Sequence, residues 1–209
     1  MQENTGKLPH RPFRHIPMHV VYRLKGSLPV NVIERLRQER SRLYANRGND
    51  KAGSEIAQEE FEVLLDNALH TESNGPYHLS DPAIATAVLD SWHFIAERLG
   101  LFIYAICVMS NHVHVIARSA SGEDIDAGLI MGRHKSFTGK LCNRIMGQPS
   151  GPFWEVSYFD RDIRAGTFDT VMWYVLNNPV KCNLVAHWED WPWTYLNPEF
   201  DALYRRSKQ

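Results

Sequence analysis

The sequence predicts an α+β fold: a ferredoxin-like antiparallel sheet with helices packed on one face. Segments of strand and helix character follow one another in the order strand, helices, strand, strand, helix, strand, helix. Two apolar runs near mid-chain, separated by a short polar connection, predict a hairpin within this order. The 209 residues, 44% hydrophobic and 22% charged, suffice for one domain with its own core.

The amino-terminal part of the chain is predicted to hold one strand and two helices. Residues 19–24 are rich in β-branched and aromatic side chains and precede a glycine-containing turn, which is typical of a strand. Pro29 then opens a stretch in which apolar residues recur at helical spacing, which predicts the first helix. A polar loop at 45–54 separates it from a second helix at 59–68.

A third helix and the hairpin follow. Asp81 and Pro82 favour a helix start, because aspartate caps free backbone amides and proline fits the first turn. Gly100 suits the C-cap of the same helix. The apolar runs at 101–109 and 113–117 then predict two antiparallel strands joined by a tight turn.

The carboxyl-terminal part is predicted to alternate helix and extended chain. Residues 125–145 have a helical pattern, residues 153–163 are aromatic-rich and extended, and residues 167–177 form a further helix. This last helix is expected to end before Pro179, because the residue preceding proline disfavours helical backbone.

We expect a single domain over residues 18–196. An extended basic arm at 1–17 precedes it, and a basic tail at 197–209 follows it. A helical insertion at about 45–100 is expected to interrupt the core before the hairpin.

Charge, cysteine spacing and hydropathy exclude several classes of protein. The formal net charge of -1 argues against a histone-like protein, so any surface for nucleic acid must be local. The three cysteines are widely spaced and form no CxxC pair, which indicates free thiols rather than a zinc ribbon or a disulfide framework. No stretch approaches the ~18 apolar residues of a membrane helix, and we therefore expect a cytoplasmic protein with no membrane partner.

His112 and His114 lie two positions apart on the second strand of the predicted hairpin. Because side chains of a strand alternate between its faces, both imidazoles point to one side, while Val113 and Val115 point to the other. Two convergent imidazoles can bind a divalent metal and leave positions open for substrate oxygens. Taken without context, such a pair more often lies on the half-exposed polar face of an edge strand.

The string Val-Met-Ser-Asn-His-Val-His-Val-Ile at 108–116 resembles the strand that carries the HUH motif (His, hydrophobic residue, His) of single-tyrosine transposases. The similarity is to the REP-associated tyrosine transposases and their insertion-sequence relatives, and it spans residues 15–196. Further segments resemble the family in the same order; they lie at 19–29, 134–138, 151–154, 158–164, 174–181 and 190–193. The chain departs from the family at Ser110, where proline is usual, and in the long segment before the hairpin.

The resemblance implies a metal-dependent nuclease and strand transferase of single-stranded DNA that acts at hairpins formed by palindromic repeats. It implies that Tyr174 is the nucleophile, which forms a 5′-phosphotyrosine, and that Asn178 joins His112 and His114 as the third metal ligand. Mg²⁺ or Mn²⁺ is the expected cofactor, and no nucleotide cofactor is expected. On one helix, residues four apart share a face, so Tyr174 and Asn178 are expected to project together.

Two alternatives to these assignments remain within the same segments. Tyr158 lies in an extended aromatic segment, where core packing is its commoner role, but it remains the second candidate for the nucleophile. Asn177 lies three residues after Tyr174 and could exchange roles with Asn178.

Single-stranded DNA is usually bound by a basic groove with aromatic stacking. The basic residues that we expect to contact DNA lie in the amino-terminal part, on the helix after the hairpin and on the next strand. They are Arg14, Arg23, Lys25, Lys135, Lys140, Arg144, Arg161 and Arg164. We expect the protein to be a monomer or a homodimer.

Two other functions compete with the transposase hypothesis. The first is a non-catalytic, domesticated relative that binds single-stranded or hairpin DNA. The second is a metal hydrolase of the amidohydrolase type, which is disfavoured because the His-x-His pair lies past mid-chain and ~200 residues is short for such a barrel.

Overall fold

The computed structural model describes residues 10–47, 50–148 and 150–206. Its strands are β1 (Met18–Arg23), β2 (Leu101–Val108), β3 (His112–Ser119), β4 (Phe159–Asp162) and β5 (Thr194–Leu196). They form one antiparallel sheet in the order β4-β1-β3-β2-β5. The first four strands have the ferredoxin-like order, and β3, which carries both histidines, is central. The predicted α+β fold is confirmed.

Seven α-helices are present in the described residues. They are α1 (Val30–Arg47), α2 (Lys51–Thr71), α3 (Pro82–Leu99), α4 (Ala127–Ile145), α5 (Phe168–Leu176), α6 (Asn178–Lys181) and α7 (Asp201–Tyr204). Asp81 caps α3 by accepting a hydrogen bond from the backbone amide of Ala83 at 2.8 Å, and Gly100 ends it with φ of 71°. Both predicted signals therefore act as expected.

The two faces of the sheet carry different cores. Val113 and Val115 of β3 point to the face covered by α3 and α4, where the largest cluster of buried apolar side chains lies. His112 and His114 point to the opposite face, together with Ile116. In the register of the sheet, Val21 of β1 and Cys107 of β2 flank His114 on this face.

Helices cover both faces of the sheet, whereas the sequence predicted helices on one face. The histidine face is itself largely apolar, because Val21 and Phe159 pack against α1 and α2 while Cys107 and Ile116 pack against α5. An apolar face must be buried, and α2 and α5 bury this one. The histidines are consequently enclosed between the sheet and these two helices.

Helix α1 runs to Arg47 and helix α2 begins earlier than predicted, at Lys51, so helix occupies much of the segment 45–54 that was expected to be a loop. Asp50 caps the helix by accepting a hydrogen bond from the amide of Gly53 at 2.7 Å. A Cβ atom on Gly53 would lie 2.0 Å from the carbonyl oxygen of Arg47, so only glycine allows this close approach. Helices α1 and α2 pack against each other as a pair.

The chain ends differ from simple tails. His10 to Pro17, the described part of the expected arm, lies along the domain, and Phe13 is fully buried in a bridge with Ile125. Part of the expected carboxyl-terminal tail forms α7. Residues 1–9 and 207–209, which complete the predicted arm and tail, lie outside the described residues. In the part of the chain that the structure describes, no helix combines the length and hydropathy needed to cross a membrane.

Candidate metal and nucleophile site

Three side chains converge on the histidine face of the sheet. The Nε2 atoms of His112 and His114 lie 3.0 Å apart, and both rings are fully buried. Asp66 of α2 places its Oδ1 atom 3.4 Å from His112 Nε2 and 3.2 Å from His114 Nε2. These three potential ligand atoms all lie within 4.8 Å of one another.

The orientation of His112 is set by its neighbour Asn111. His112 Nδ1 lies 2.6 Å from Asn111 Oδ1, and Asn111 Nδ2 donates a hydrogen bond to the carbonyl oxygen of Leu69 at 2.9 Å. Because the second contact fixes which end of the amide is the donor, Asn111 Oδ1 must accept from His112 Nδ1. The proton of the neutral ring is therefore on Nδ1, and the lone pair of Nε2 faces Asp66.

The orientation of His114 is set in a similar way, by a chain of buried groups. Arg161 pairs with Glu62, and Glu62 contacts His19 Nδ1. His19 Nε2 lies 3.1 Å from His114 Nδ1. Although burial opposes ionisation, His19 and Arg161 lower the pKa of Glu62 to about 2, so an ionised carboxylate requires the proton on His19 Nδ1. In the neutral tautomer of His19 that carries its proton on Nδ1, Nε2 accepts from His114 Nδ1, which leaves His114 Nε2 free.

The cluster is suited to a cation. Burial lowers the pKa of His112 to about 4 and also lowers the pKa of His114, so both rings are neutral at neutral pH. Their free lone pairs then face the Oδ1 atom of Asp66, which is buried and has no hydrogen-bond partner. Three acceptors at this spacing repel one another unless a positive charge lies between them, and two imidazoles with a carboxylate are ligands for divalent metals. The residues present could therefore hold such an ion.

Tyr174 of α5 shares the carboxylate of Asp66 with this cluster. The Tyr174 hydroxyl donates to Asp66 Oδ2, while Oδ1 faces the histidines. Burial, together with the negative charge of Asp66, raises the pKa of Tyr174 far above its usual value. Without a compensating cation the phenol therefore stays protonated at neutral pH.

Two further groups surround the tyrosine and the carboxylate. The Nζ atom of Lys181 lies 3.4 Å from the centroid of the Tyr174 ring and also donates to the Tyr174 carbonyl oxygen. His70, one turn after Asp66 on α2, places Nε2 3.5 Å from Asp66 Oδ1 and has no hydrogen-bond partner for that atom. The site thus contains more basic groups than the histidine pair alone.

Asn178 and Tyr158 occupy different surroundings. Asn178 begins α6 and so does not lie on one continuous helix with Tyr174, because Pro179 interrupts the helical backbone. It is nevertheless fully buried beside Tyr174: its Nδ2 donates to the Tyr174 carbonyl oxygen at 3.1 Å, and its Oδ1 has no partner. Tyr158 instead stacks on His10 with ring centroids 3.7 Å apart. Tyr174 is thus the tyrosine that contacts the cluster.

The basic residues expected to contact DNA fall into distinct groups. Arg161, one of the expected DNA contacts, is buried in its pair with Glu62 rather than exposed. Its role is to hold Glu62 in the chain of groups behind His114. Lys135 donates to three backbone carbonyls, those of residues 155–157. Lys140 and Arg144 are exposed and line an open cavity of about 960 Å³ beside α4.

The remaining expected DNA contacts pair with acidic side chains. Arg14 pairs with Asp124, Arg164 with Glu59, and both Arg23 and Lys25 with Glu155. The pairs of Arg14 and Arg164 are exposed, and because exposed ion pairs are weak, a phosphate can replace the carboxylate partner there.

Sequence reasoning did not find Asp66, Glu62, His19 or Lys181. For Asp66 and Glu62, the spacing of residues along α2 is a signal that could have found them. Glu62, Asp66 and His70 follow one another at intervals of four residues, which places two acids and a histidine on one helical face. Both acids are buried, an arrangement that requires partners.

The orienting role of Asn111 leads to a first prediction. Asn111→Ala removes the acceptor that keeps the proton of His112 on Nδ1, and we expect Mn²⁺ affinity to fall by about 10- to 100-fold, the usual cost of losing such a partner. Isothermal titration calorimetry with Mn²⁺ measures this. Ser110→Ala, in the same turn, is the matched control and should bind Mn²⁺ like the parent. Equal affinity of both variants would mean that Asn111 does not orient the ligand.

The fold and the site together define a class of protein. It is an α+β domain whose central strand presents two histidines to a tyrosine on a neighbouring helix. Residues 77–178 match the family of transposases described as IS200-like, and this segment includes His112, His114, Tyr174 and Asn178. The resemblance inferred from the sequence is thus confirmed as a match of residues 77–178 to this family. No curated protein matches the chain in sequence.

Two solved structures are similar to the chain. A REP-associated tyrosine transposase bound to a REP hairpin is 15% identical, with a TM-score of 0.50, over 91% of this chain and 82% of that chain. A Deinococcus radiodurans R1 protein assigned to the transposases is 14% identical, with a TM-score of 0.41, over 85% of this chain and 98% of that chain. At these identities the first structure supports the fold alone.

Proposed function

We propose that this transposase-like protein cuts and rejoins single-stranded DNA by transesterification at Tyr174, with a divalent metal held by His112, His114 and Asp66. One observation carries the proposal. The carboxylate of Asp66 binds the Tyr174 hydroxyl through one oxygen and faces the histidine pair through the other. The nucleophile and the metal ligands therefore belong to one site.

The ligand set follows from the tautomers of the two histidines. His112 and His114 offer neutral Nε2 atoms, and Asp66 offers Oδ1. We assign the buried and unpartnered Oδ1 of Asn178 as a further ligand, which retains the role expected of this residue. Mg²⁺ or Mn²⁺ suits these ligands, with Mn²⁺ favoured by the two nitrogen atoms. When bound, such a cation supplies Lewis acidity to nonbridging phosphate oxygens and to the leaving oxygen.

In the proposed reaction, the Tyr174 oxygen attacks the phosphorus of the scissile phosphodiester. The phenol loses its proton, the bond between phosphorus and the 3′ oxygen breaks, and the 3′ oxygen takes up a proton. The products are a 5′-phosphotyrosine and a free 3′-hydroxyl. Because the new bond retains the energy of the phosphodiester, attack by another 3′-hydroxyl rejoins DNA without ATP.

Asp66 and Lys181 prepare Tyr174 for this step. Asp66 accepts the hydrogen bond of the phenol and so fixes the direction in which its oxygen points. Lys181 lies on the face of the same ring and supplies positive charge where the phenolate and the incoming phosphate would repel each other.

The proposed substrate is single-stranded DNA beside a hairpin. A tyrosine held between a sheet and two helices requires a backbone that can bend into the site, which a duplex does not supply. The similar structure of a REP-associated tyrosine transposase contains a REP hairpin, and this supports the same class of substrate here. Lys140 and Arg144, exposed beside α4, are proposed contacts for the hairpin arm.

The test is the formation of a covalent protein–DNA adduct. The protein is incubated with Mg²⁺ or Mn²⁺ and with end-labelled single strands that carry palindromes from the DNA flanking its gene. We expect a denaturation-resistant adduct that carries only the label downstream of the cut. Hairpin binding without any adduct, in either metal, would instead identify a non-catalytic DNA-binding protein.

A further inference from the structure

A second cavity opens on the histidine face of the sheet, between β1, β4 and the helices α1 and α2. Its volume is about 370 Å³, in the range of small-ligand sites. Its inner wall is apolar and aromatic, with Val21, Leu36, Phe61 and Phe159 buried. None of these residues belongs to the metal and nucleophile site.

The rim of the cavity is basic. Arg23, Lys25, Arg37 and Arg40 line it, against two acidic residues, Glu34 and Glu155. Glu155 is already engaged by Arg23 and Lys25, at 3.4 and 3.2 Å. The cavity therefore carries excess positive charge in a protein whose net charge is -1.

The arginines of α1 divide according to the direction in which they point. Arg35, Arg42 and Arg47 each pair with a glutamate. Arg37 and Arg40 line the cavity, and among the described residues neither forms an ion pair. Arg40 instead lies over the ring of Phe61, 5.3 Å from its centroid. Two unneutralised guanidinium groups beside an aromatic wall match an anionic ligand with a flat, apolar part.

The cavity adjoins the metal and nucleophile site. Leu69, which lines it, accepts through its carbonyl oxygen the hydrogen bond that orients Asn111 and hence His112. Arg23 is paired in register with His112 across β1 and β3. Glu155 and Ser157, which also line the cavity, accept hydrogen bonds from Lys135 through their backbone carbonyl oxygens. The cavity therefore lies beside the proposed active site.

We infer that this cavity binds one unstacked nucleobase of the single-stranded DNA substrate, with Arg37 and Arg40 on the adjoining phosphates. The inference rests on the proposed function for the nature of its ligand. The aromatic and aliphatic wall receives the base, and the arginines neutralise the backbone on either side. Helices α1 and α2 would thus read the strand next to the cleavage site, which gives a role to a segment that the sequence left unassigned.

The test compares two oligonucleotides under conditions without cleavage. The probes are a fluorescein-labelled oligothymidylate of roughly 16 nucleotides, the upper end of usual binding-site sizes, and the same backbone without bases. Fluorescence anisotropy is recorded without divalent cations. We expect the parent protein to bind the abasic strand about 5-fold or more weakly, and Leu65→Trp, which fills the cavity, to bind both strands equally weakly. Leu64→Trp, on the exposed side of α2, is the matched control and should keep the difference.

A second pair of variants tests the rim without altering the core. Arg37→Glu should weaken oligothymidylate binding by about 10-fold, while Arg42→Glu, on the same helix but away from the cavity, should change it little. The inference would be overturned if Leu65→Trp still bound the abasic strand more weakly than oligothymidylate. Equal losses of oligothymidylate affinity in Arg37→Glu and Arg42→Glu would also overturn it. So would competition by free thymidine monophosphate as strong as that of the oligonucleotide. If binding depended on the bases but the protein formed no covalent adduct, the inference about the cavity would hold and the proposed catalysis would be refuted.

Discussion

Tyr174→Phe is expected to abolish the covalent DNA adduct while leaving metal and DNA binding close to those of the parent. The substitution removes a single oxygen atom, the one that donates to Asp66 and is proposed to attack phosphorus. No other tyrosine hydroxyl among the described residues contacts Asp66. Denaturing electrophoresis with end-labelled DNA measures the adduct, and calorimetry with Mn²⁺ measures the metal site.

Tyr158→Phe is the matched control for this experiment. The Tyr158 ring stacks on His10, away from the Asp66 carboxylate, so its loss should leave the adduct intact. The Tyr174 variant should also remain folded, because the loss of one hydrogen bond to a charged group usually costs about 1.5–3 kcal/mol of the free energy of unfolding. An adduct that persists in Tyr174→Phe and disappears in Tyr158→Phe would show that the nucleophile is Tyr158.

The parts of the fold that follow from local patterns could be predicted. Asp81, Pro82 and Gly100 bound α3 as their backbone preferences require. The alternation of β3 also places His112 and His114 on one face, because that geometry is a property of any strand. Coverage of that face by helices was missed, since the apolar residues responsible, Val21, Cys107, Ile116 and Phe159, come from four different strands.

The third member of the cluster could not be identified from a local pattern alone. Asp66 lies on α2, far from the histidines in sequence, and only the packing of that helix over β3 brings it to them. Arg161 was assigned to DNA for the same reason. Its partner Glu62 is also on α2, and without that contact an arginine on a strand is expected to be exposed. The long-range packing of α2, which lies in the predicted insertion, thus determines the surroundings of both Asp66 and Arg161.

Asp66→Asn is expected to reduce Mn²⁺ affinity by more than the ~10- to 100-fold typical of losing an orienting partner. The substitution keeps the size of the side chain and an oxygen that can accept from Tyr174, but it removes the negative charge from the cluster. The neutral His112 and His114 then offer no charge to balance a divalent cation in a fully buried place. Calorimetry with Mn²⁺ gives the affinity, and the adduct assay should show a parallel loss of cleavage.

Comparison with Asn178→Ala separates the two possible third ligands. If Asp66 and Asn178 both bind the metal, each variant weakens Mn²⁺ binding, and the loss of the charged ligand is the larger. If Asn178 alone completes the histidine pair, Asp66→Asn retains the affinity of the parent and Asn178→Ala loses it. Glu60→Gln, which removes a surface charge from the same helix as Asp66, controls for a general electrostatic effect. If Asp66→Asn retained the Mn²⁺ affinity of the parent, Asp66 would act only as a hydrogen-bond acceptor for Tyr174. The metal ligands would then be His112, His114 and Asn178.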